Sequence, residues 1–222
     1  MLYKVNEVFE TIQGEGSFTG QPAIFIRLQG CPVGCSWCDT KHTWSVHPEL
    51  ELSLDGVLAK SAETEQWSAV DAAQLLVLFQ AQGYQARHVV ITGGEPCMYD
   101  LRPLCQALHD KGYQTQIETS GTFDIQVPAK SWVTVSPKIG MKGGYKVLQS
   151  ALDRANEIKH PVAMDKHIEQ LLDLLSSTDL TGKLVYLQPI SQQTKATQLA
   201  IAYCKKHNWR LSVQVHKYLG IE

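Results

Sequence analysis

The feature that most restricts the fold of this chain is a repeated couplet: a short apolar run, then a stretch with helical periodicity. PAIFIRLQG (22–30), RHVVITGGEP (87–96), YQTQIETSG (113–121), WVTVSPK (132–138), KLVYLQPIS (183–191) and WRLSVQVHK (209–217) read as strands. Between them, DAAQLLVLFQAQG (71–83), LRPLCQALHDKG (101–112), DKHIEQLLDLLSS (165–177) and TKATQLAIAYCKKH (194–207) carry one apolar face each. This alternation implies βαβ units and a parallel α/β sheet, open or closed as a barrel. Residues 45–68 fall outside the rhythm, with acids, serines and a proline around one modest apolar stretch from Leu52 to Leu58. They are expected to be an insertion in a single domain spanning 1–222. It is a solvated excursion or, in the other reading, a partner surface.

Hydrophobic residues make up 44 % of the chain and charged ones 19 %, enough material for a core. A net charge of −2 argues against a broad grip on nucleic acid or an anionic membrane. The first residues lack the apolar region of a signal peptide, and no window reaches the roughly 18 apolar residues of a spanning helix. A cytoplasmic, reducing location is expected, where clustered cysteines bind metal or do chemistry.

Polar residues collect where the predicted strands end: Thr92 and Glu95, Glu118 and Ser120, Ser136 and Lys138, Gln188, then Gln214 and His216. Parallel α/β folds bind ligands at these carboxyl ends. One polar strand end means little, because such ends meet water anyway. Five together suggest a lined site.

CPVGCSWC (31–38) places Cys31, Cys35 and Cys38 directly after the first of these strands. Thiolates suit zinc or iron–sulfur clusters. Three of them can hold a four-iron cluster with one iron left free for a substrate or cofactor. His42 offers the competing solution, a Cys3His zinc site in a binding or adaptor module. On the cysteines alone the two are comparable. Trp37 in the last gap and the position at a ligand-binding rim favour the cluster. Cys97, Cys105 and Cys204 lie outside the motif, and the latter two sit among apolar helix positions as buried thiols.

Cys31, Cys35 and Cys38 with aromatic Trp37, followed by Gly93-Gly94-Glu95-Pro96, resemble the signature of radical S-adenosylmethionine enzymes. TIQGEG (11–16), IFIRLQGC (24–31), CDTKHTW (38–44), ITGGEP (91–96), IETSGT (117–122) and SPK (136–138) together are similar to the 7-carboxy-7-deazaguanine synthase family, over nearly the whole chain. The resemblance implies a modified partial (β/α)6 barrel and a lyase that contracts 6-carboxy-5,6,7,8-tetrahydropterin to 7-carboxy-7-deazaguanine in queuosine biosynthesis, a tRNA modification pathway. It implies a [4Fe-4S] cluster on Cys31, Cys35 and Cys38, and Mg2+ at Thr40 with Asp39 as the second candidate. Substrate contacts fall on Ile12, Gln13, Gly14, Glu15, Arg27 and Thr92. Contacts to S-adenosylmethionine fall on Trp37, Gly94, Glu95, Ser120, Ser136, Pro137, Lys138 and Gln188. A homodimer and an electron donor such as flavodoxin come with the family. Glu118 is a pocket residue or a buried strand acid, and His216 and Lys217 are rim residues or plain strand-end polars. A radical S-adenosylmethionine activating enzyme, acting on a partner protein, is the nearest rival. Gly14-Glu15-Gly16, Arg27 and the CDT run favour the small-molecule enzyme.

Overall fold

In the structure, a computed structural model that describes residues 1–221 and leaves out the side chain of Gln192, the apolar runs become strands of one sheet. The strands are β1 (Tyr3–Ile12), β2 (Pro22–Leu28), β3 (Ser68–Val70), β4 (His88–Gly93), β5 (Gln114–Thr119), β6 (Trp132–Val135), β7 (Glu157–Val162), β8 (Leu184–Pro189) and β9 (Arg210–Leu211). The helices are α1 (Leu54–Leu58), α2 (Ala72–Ala81), α3 (Arg102–Asp110), α4 (Gln149–Arg154), α5 (Asp165–Leu175), α6 (Thr194–His207) and α7 (Val215–Leu219). Among the described residues the sheet has nine strands in the order β3-β1-β2-β4-β5-β6-β7-β8-β9. From β2 to β9 every neighbour is parallel, whereas β1 is antiparallel to both β2 and β3.

The order never reverses after β2. Crossovers are right-handed, so helices added in one direction fall on one face. Strand alternation agrees with this. Ile24, Ile26, Leu28, Val89, Ile91, Ile117, Val133, Val135, Ile158, Val162, Val185 and Leu187 join helix residues Leu75, Phe79, Leu104, Leu108, Leu152, Ile168 and Leu171 in one apolar core. Each fully buried aliphatic side chain there contributes about 1.5–3 kcal/mol. Asp71 and Gln74 form a reciprocal capping box that starts α2. The other face of the sheet is polar and equally buried: Gln116, Thr134 and Glu157 are all closed off from solvent.

Several elements depart from the sequence reading. β1 and β7 were not among the predicted strands, nor were the short edge strand β3 and helices α1, α4 and α7. The run 209–217 is a strand only at Arg210–Leu211. Ser212 still bonds to Leu187 O, but Val215 N turns to Gly14 O at 3.0 Å, and the chain leaves the sheet to form α7. His216 therefore sits on a helix. Residues 45–68 pack onto β1 through β3, and Val57 and Trp67 are buried, so the segment is more than a solvated excursion. Among the described residues no helix is long and apolar enough to cross a membrane.

Candidate active site

The cysteine loop and the GGEP turn are built against each other. Gly94 N donates to Leu28 O at 2.9 Å and Glu95 N to Gly30 O at 2.8 Å. Gly93 has φ +140, and a Cβ there would strike the backbone of Leu28, while one on Gly94 would strike Gly30 O. Only glycines let the end of β4 lie this close to the residues leading into Cys31. Glu95 is buried, and its carboxylate accepts from Cys97 N (2.9 Å), Thr119 Oγ1 (2.6 Å), Ser120 N (2.8 Å) and Ser120 Oγ. It thus staples the turn to the end of β5. Ser120 Oγ also meets Thr122 Oγ1 at 2.7 Å.

Cys31, Cys35 and Cys38 are free thiols that line one cavity of about 540 Å3. Trp44 Nε1 donates to Cys38 Sγ at 3.4 Å, and Thr40 Oγ1 lies 3.6 Å from the same sulfur. Burial pushes the Cys31 thiol up to about 11 and raises Cys35 as well. Such thiols ionise when a cationic centre compensates the lost solvation. The donor set fits an iron–sulfur cluster: soft, clustered, open to a cavity and with no fourth ligand. The zinc alternative needs His42, whose ring is drawn elsewhere. Its Nε2 lies 3.7 Å from Glu7 Oε1 and its Nδ1 3.6 Å from Glu63 Oε2. Among the described residues, no group of three or more His, Cys, Asp or Glu side chains stands ready for a single metal ion.

The same cavity is lined by Trp37, Gly94, Glu95, Ser120, Ser136, Lys138 and Gln188. Lys138 Nζ donates to Ser136 Oγ at 2.7 Å, and Ser136 N to Thr119 O at 2.7 Å. Pro137 is buried behind them and does not line the cavity. Trp37 is half exposed, its ring 6.3 Å from that of His167.

A second cavity, about 780 Å3, opens from the first. Glu15, Arg27, Asp39, Thr40, Thr92, Glu118 and Lys217 belong to the walls of both. Ile12, Gln13 and His216 line the second alone, and Gly14 packs against His216. Arg27 pairs through Nε with Glu7 Oε2 at 2.6 Å, and its guanidinium stands 5.8 Å from the Phe9 ring.

Beneath both cavities lies a charged cluster that the sequence reading did not find. Lys159 Nζ, on β7, donates to Glu15 Oε2 at 2.7 Å and to Glu118 Oε1 and Oε2 at 3.1 and 3.0 Å. Gln188 and Gln214 donate to Glu15 Oε1 at 3.2 and 2.8 Å. Burial raises the Glu15 carboxyl, but the Lys159 ammonium more than offsets it and holds the group at about 2. Burial dominates at Glu118 and, with Glu15 and Glu157 adding repulsion against the pull of Lys159, lifts it to about 7. Burial alone would lower Lys159, yet the three carboxylates raise it. Glu157 accepts from Ser17 N at 3.0 Å. The 13–18 loop is a strap across the polar face. Gln13 reaches Gln116, Gly16 N reaches Ser212 Oγ at 3.2 Å, and Phe18 packs on His88 and Trp132.

Lys159 and Glu157 escaped sequence reasoning because EIKHPV has a charged face and a proline within it, which argue against a buried strand. The available signal was the period-2 alternation of Ile158, His160 and Val162.

A largely parallel sheet whose carboxyl-end cavity is fronted by a three-cysteine loop, with a GGE turn stapled beside it, defines a radical S-adenosylmethionine enzyme. No family model matches the chain. It is 57 % identical over 222 residues, 100 % of both chains, to a 7-carboxy-7-deazaguanine synthase of Escherichia coli (strain K12). It is 44 % identical over the full length of both chains to one of Buchnera aphidicola and 36 % identical to one of Synechocystis, covering 99 % of this chain and 93 % of that one. The crystal structure of QueE from Escherichia coli superposes with a TM-score of 0.95 at 57 % identity, covering 97 % of this chain and 95 % of that one. The chain belongs to the 7-carboxy-7-deazaguanine synthase family.

Proposed function

We propose that this chain converts 6-carboxy-5,6,7,8-tetrahydropterin to 7-carboxy-7-deazaguanine and ammonia, the ring-contracting step toward queuosine. Atoms balance without an external oxidant, since the product is the substrate less ammonia. The observation that carries the reading is the joining of two cavities through Glu15, Arg27, Thr92 and Glu118, one bearing the three cysteines and the other large enough for a bicyclic substrate. When bound, a reduced [4Fe-4S] cluster and S-adenosylmethionine supply the one-electron chemistry that breaks an unactivated C–H bond.

Cys31, Cys35 and Cys38 hold the cluster. Trp37, Gly94, Ser120, Ser136 and Lys138 bind S-adenosylmethionine along its cavity, and Gln188 closes the far side. Glu95 and Pro137 shape the backbone that does so. Ile12, Gln13, Gly14, Glu15, Arg27 and Thr92 form the substrate pocket. The Arg27 guanidinium, braced by Glu7, receives the substrate carboxylate. Thr40, in the wall shared by both cavities, would be the residue to hold Mg2+, a hard cation that would help anchor substrate oxygens. Burial lifts the Glu118 carboxyl to about 7 and the side chain lies where the cavities meet, so it is the group placed to exchange a proton with the departing amine.

The uninterrupted strand order and the buried polar face support a sheet curled into a partial (β/α)6 barrel, one domain over 1–222 with its insertion at 45–68. The enzyme works in the cytoplasm as a homodimer, fed by a one-electron donor such as flavodoxin.

The test is an anaerobic mass-spectrometric assay of reconstituted protein with reductant, Mg2+, S-adenosylmethionine and the carboxytetrahydropterin. Carboxydeazaguanine is the expected product. Formation of 5′-deoxyadenosine alone would keep the radical class and reject the substrate.

A further inference from the structure

Asn6 sits in a β-bulge. The β1–β2 ladder pairs Val5 with Leu28 and then Glu7 with Arg27, so Asn6 has no partner across it. A bulge gives up a ladder position to re-aim one side chain. Here the Asn6 carboxamide, 0 % exposed, donates from Nδ2 to Gln29 Oε1 (2.7 Å) and to the carbonyls of Thr64 (2.8 Å) and Gln66 (3.0 Å). Its Oδ1 accepts from Lys60 Nζ at 3.0 Å, and that ammonium also donates to Asn6 O (2.7 Å) and Gln66 O (3.2 Å). Gln29, 1 % exposed, extends the chain: its Nε2 donates to His42 O at 2.9 Å and Ser45 O at 2.6 Å. Every polar atom of both amides has a partner. Turning either amide over would set its oxygen against carbonyls. A buried network satisfied in this way holds one geometry.

Its position gives it a task. Gln29 stands two residues before Cys31, while His42 and Ser45 follow Cys38, so one side chain ties the two ends of the cysteine loop. Two backbone bonds run beside it, Gly30 N to Thr43 O at 2.7 Å and Cys31 N to Trp44 O at 2.9 Å. Within the loop, Cys38 N to Cys35 O is a longer bond at 3.2 Å. Neither Asn6 nor Gln29 lines a cavity, so the amide pair acts through the loop and not on a ligand, whereas Lys60 also lines the second cavity.

We infer that the Asn6–Gln29 pair, locked by Lys60 and the backbone of 64–66, is a positioning clamp that fixes the entry and exit of the cysteine loop. The segment outside the strand–helix rhythm thereby serves the cysteine loop. The inference rests on the reading of Cys31, Cys35 and Cys38 as cluster ligands.

The test compares reconstituted wild type with Gln29→Leu and Lys60→Met by two readouts: hydrogen exchange of the 30–45 stretch, and the rate of iron loss to a chelator. Both variants should exchange this stretch at least tenfold faster and release iron at least tenfold sooner, with exchange over β5 to β7 unchanged. If Gln29→Leu fails to fold, Lys60→Met carries the test, because its side chain is partly solvated. Wild-type exchange and iron retention in Lys60→Met would overturn the role given to the 60–66 segment, and the same result in both variants would overturn the clamp. A wild type that takes up no iron would reject the cluster reading instead, and exchange would still decide the clamp.

Discussion

Lys159 decides the electrostatics of the site. Among the described residues it is the one cation hydrogen-bonded to both Glu15 and Glu118, with its side chain only 4 % exposed. Removing one partner of a buried ion pair leaves uncompensated charge, typically at a cost of about 3–5 kcal/mol. Lys159→Met should lose stability of that order at pH 7 in urea unfolding. The loss should shrink toward pH 5 as Glu15, no longer held down by Lys159, takes up a proton. Glu118 also makes its own pH prediction. Its folded value of about 7 lies above the ordinary 4.5, so the folded state holds the extra proton between these limits. Stability from this group falls as pH rises from 4.5 to 7 and then levels off. Glu118→Gln should flatten that decline in the urea midpoint and lower turnover about 10²–10⁴-fold. Glu15 has the opposite sign: held at about 2, it adds stability above 4.5 that is lost as pH falls toward 2.

At the scale of elements, the GGEP turn and β5 behave as one piece because Glu95 accepts four hydrogen bonds from Cys97, Thr119 and Ser120. An amide in its place sets donors against donors. Glu95→Gln should cost about 1–3 kcal/mol and weaken S-adenosylmethionine binding, read by equilibrium titration of the reconstituted protein. Asp71 serves as the contrast. Its capping box starts a helix remote from both cavities. Asp71→Ala should cost about 1 kcal/mol, lower the melting temperature and leave product formation unchanged.

For the whole molecule, cluster and ligands stabilise by binding the folded state alone. S-adenosylmethionine at about 100 times its dissociation constant should add about 2.7 kcal/mol. The melting temperature should rise in the cluster-loaded protein and stay put in a Cys35→Ala variant. The β2–β4–β5–β6 and β8 strands, with α2, α3, α5 and α6, were legible because their apolar positions follow the period of the structure they form. The Cys31, Cys35, Cys38 spacing and the GGEP turn were legible because that chemistry tolerates few alternatives. β7 was not, since its charged side is buried and its charges are satisfied by Glu15 and Glu118, far away in the chain. Nor was α7, since Val215 N finds its acceptor on Gly14 and not in the sheet.

By itself, then, the sequence determined the βα rhythm, a thiolate set suited to zinc or an iron–sulfur cluster, and the residues available at the strand ends. These are local: period, spacing and donor type are set within a few positions. Tertiary structure alone decided that Lys159 neutralises two acids, that the 13–18 strap covers the polar face, and that Asn6 and Gln29 clamp the cysteine loop. Each of these depends on pairing groups distant in sequence. In a buried, low-dielectric setting a polar group is tolerated only when its partner is in place, and no window of sequence contains both.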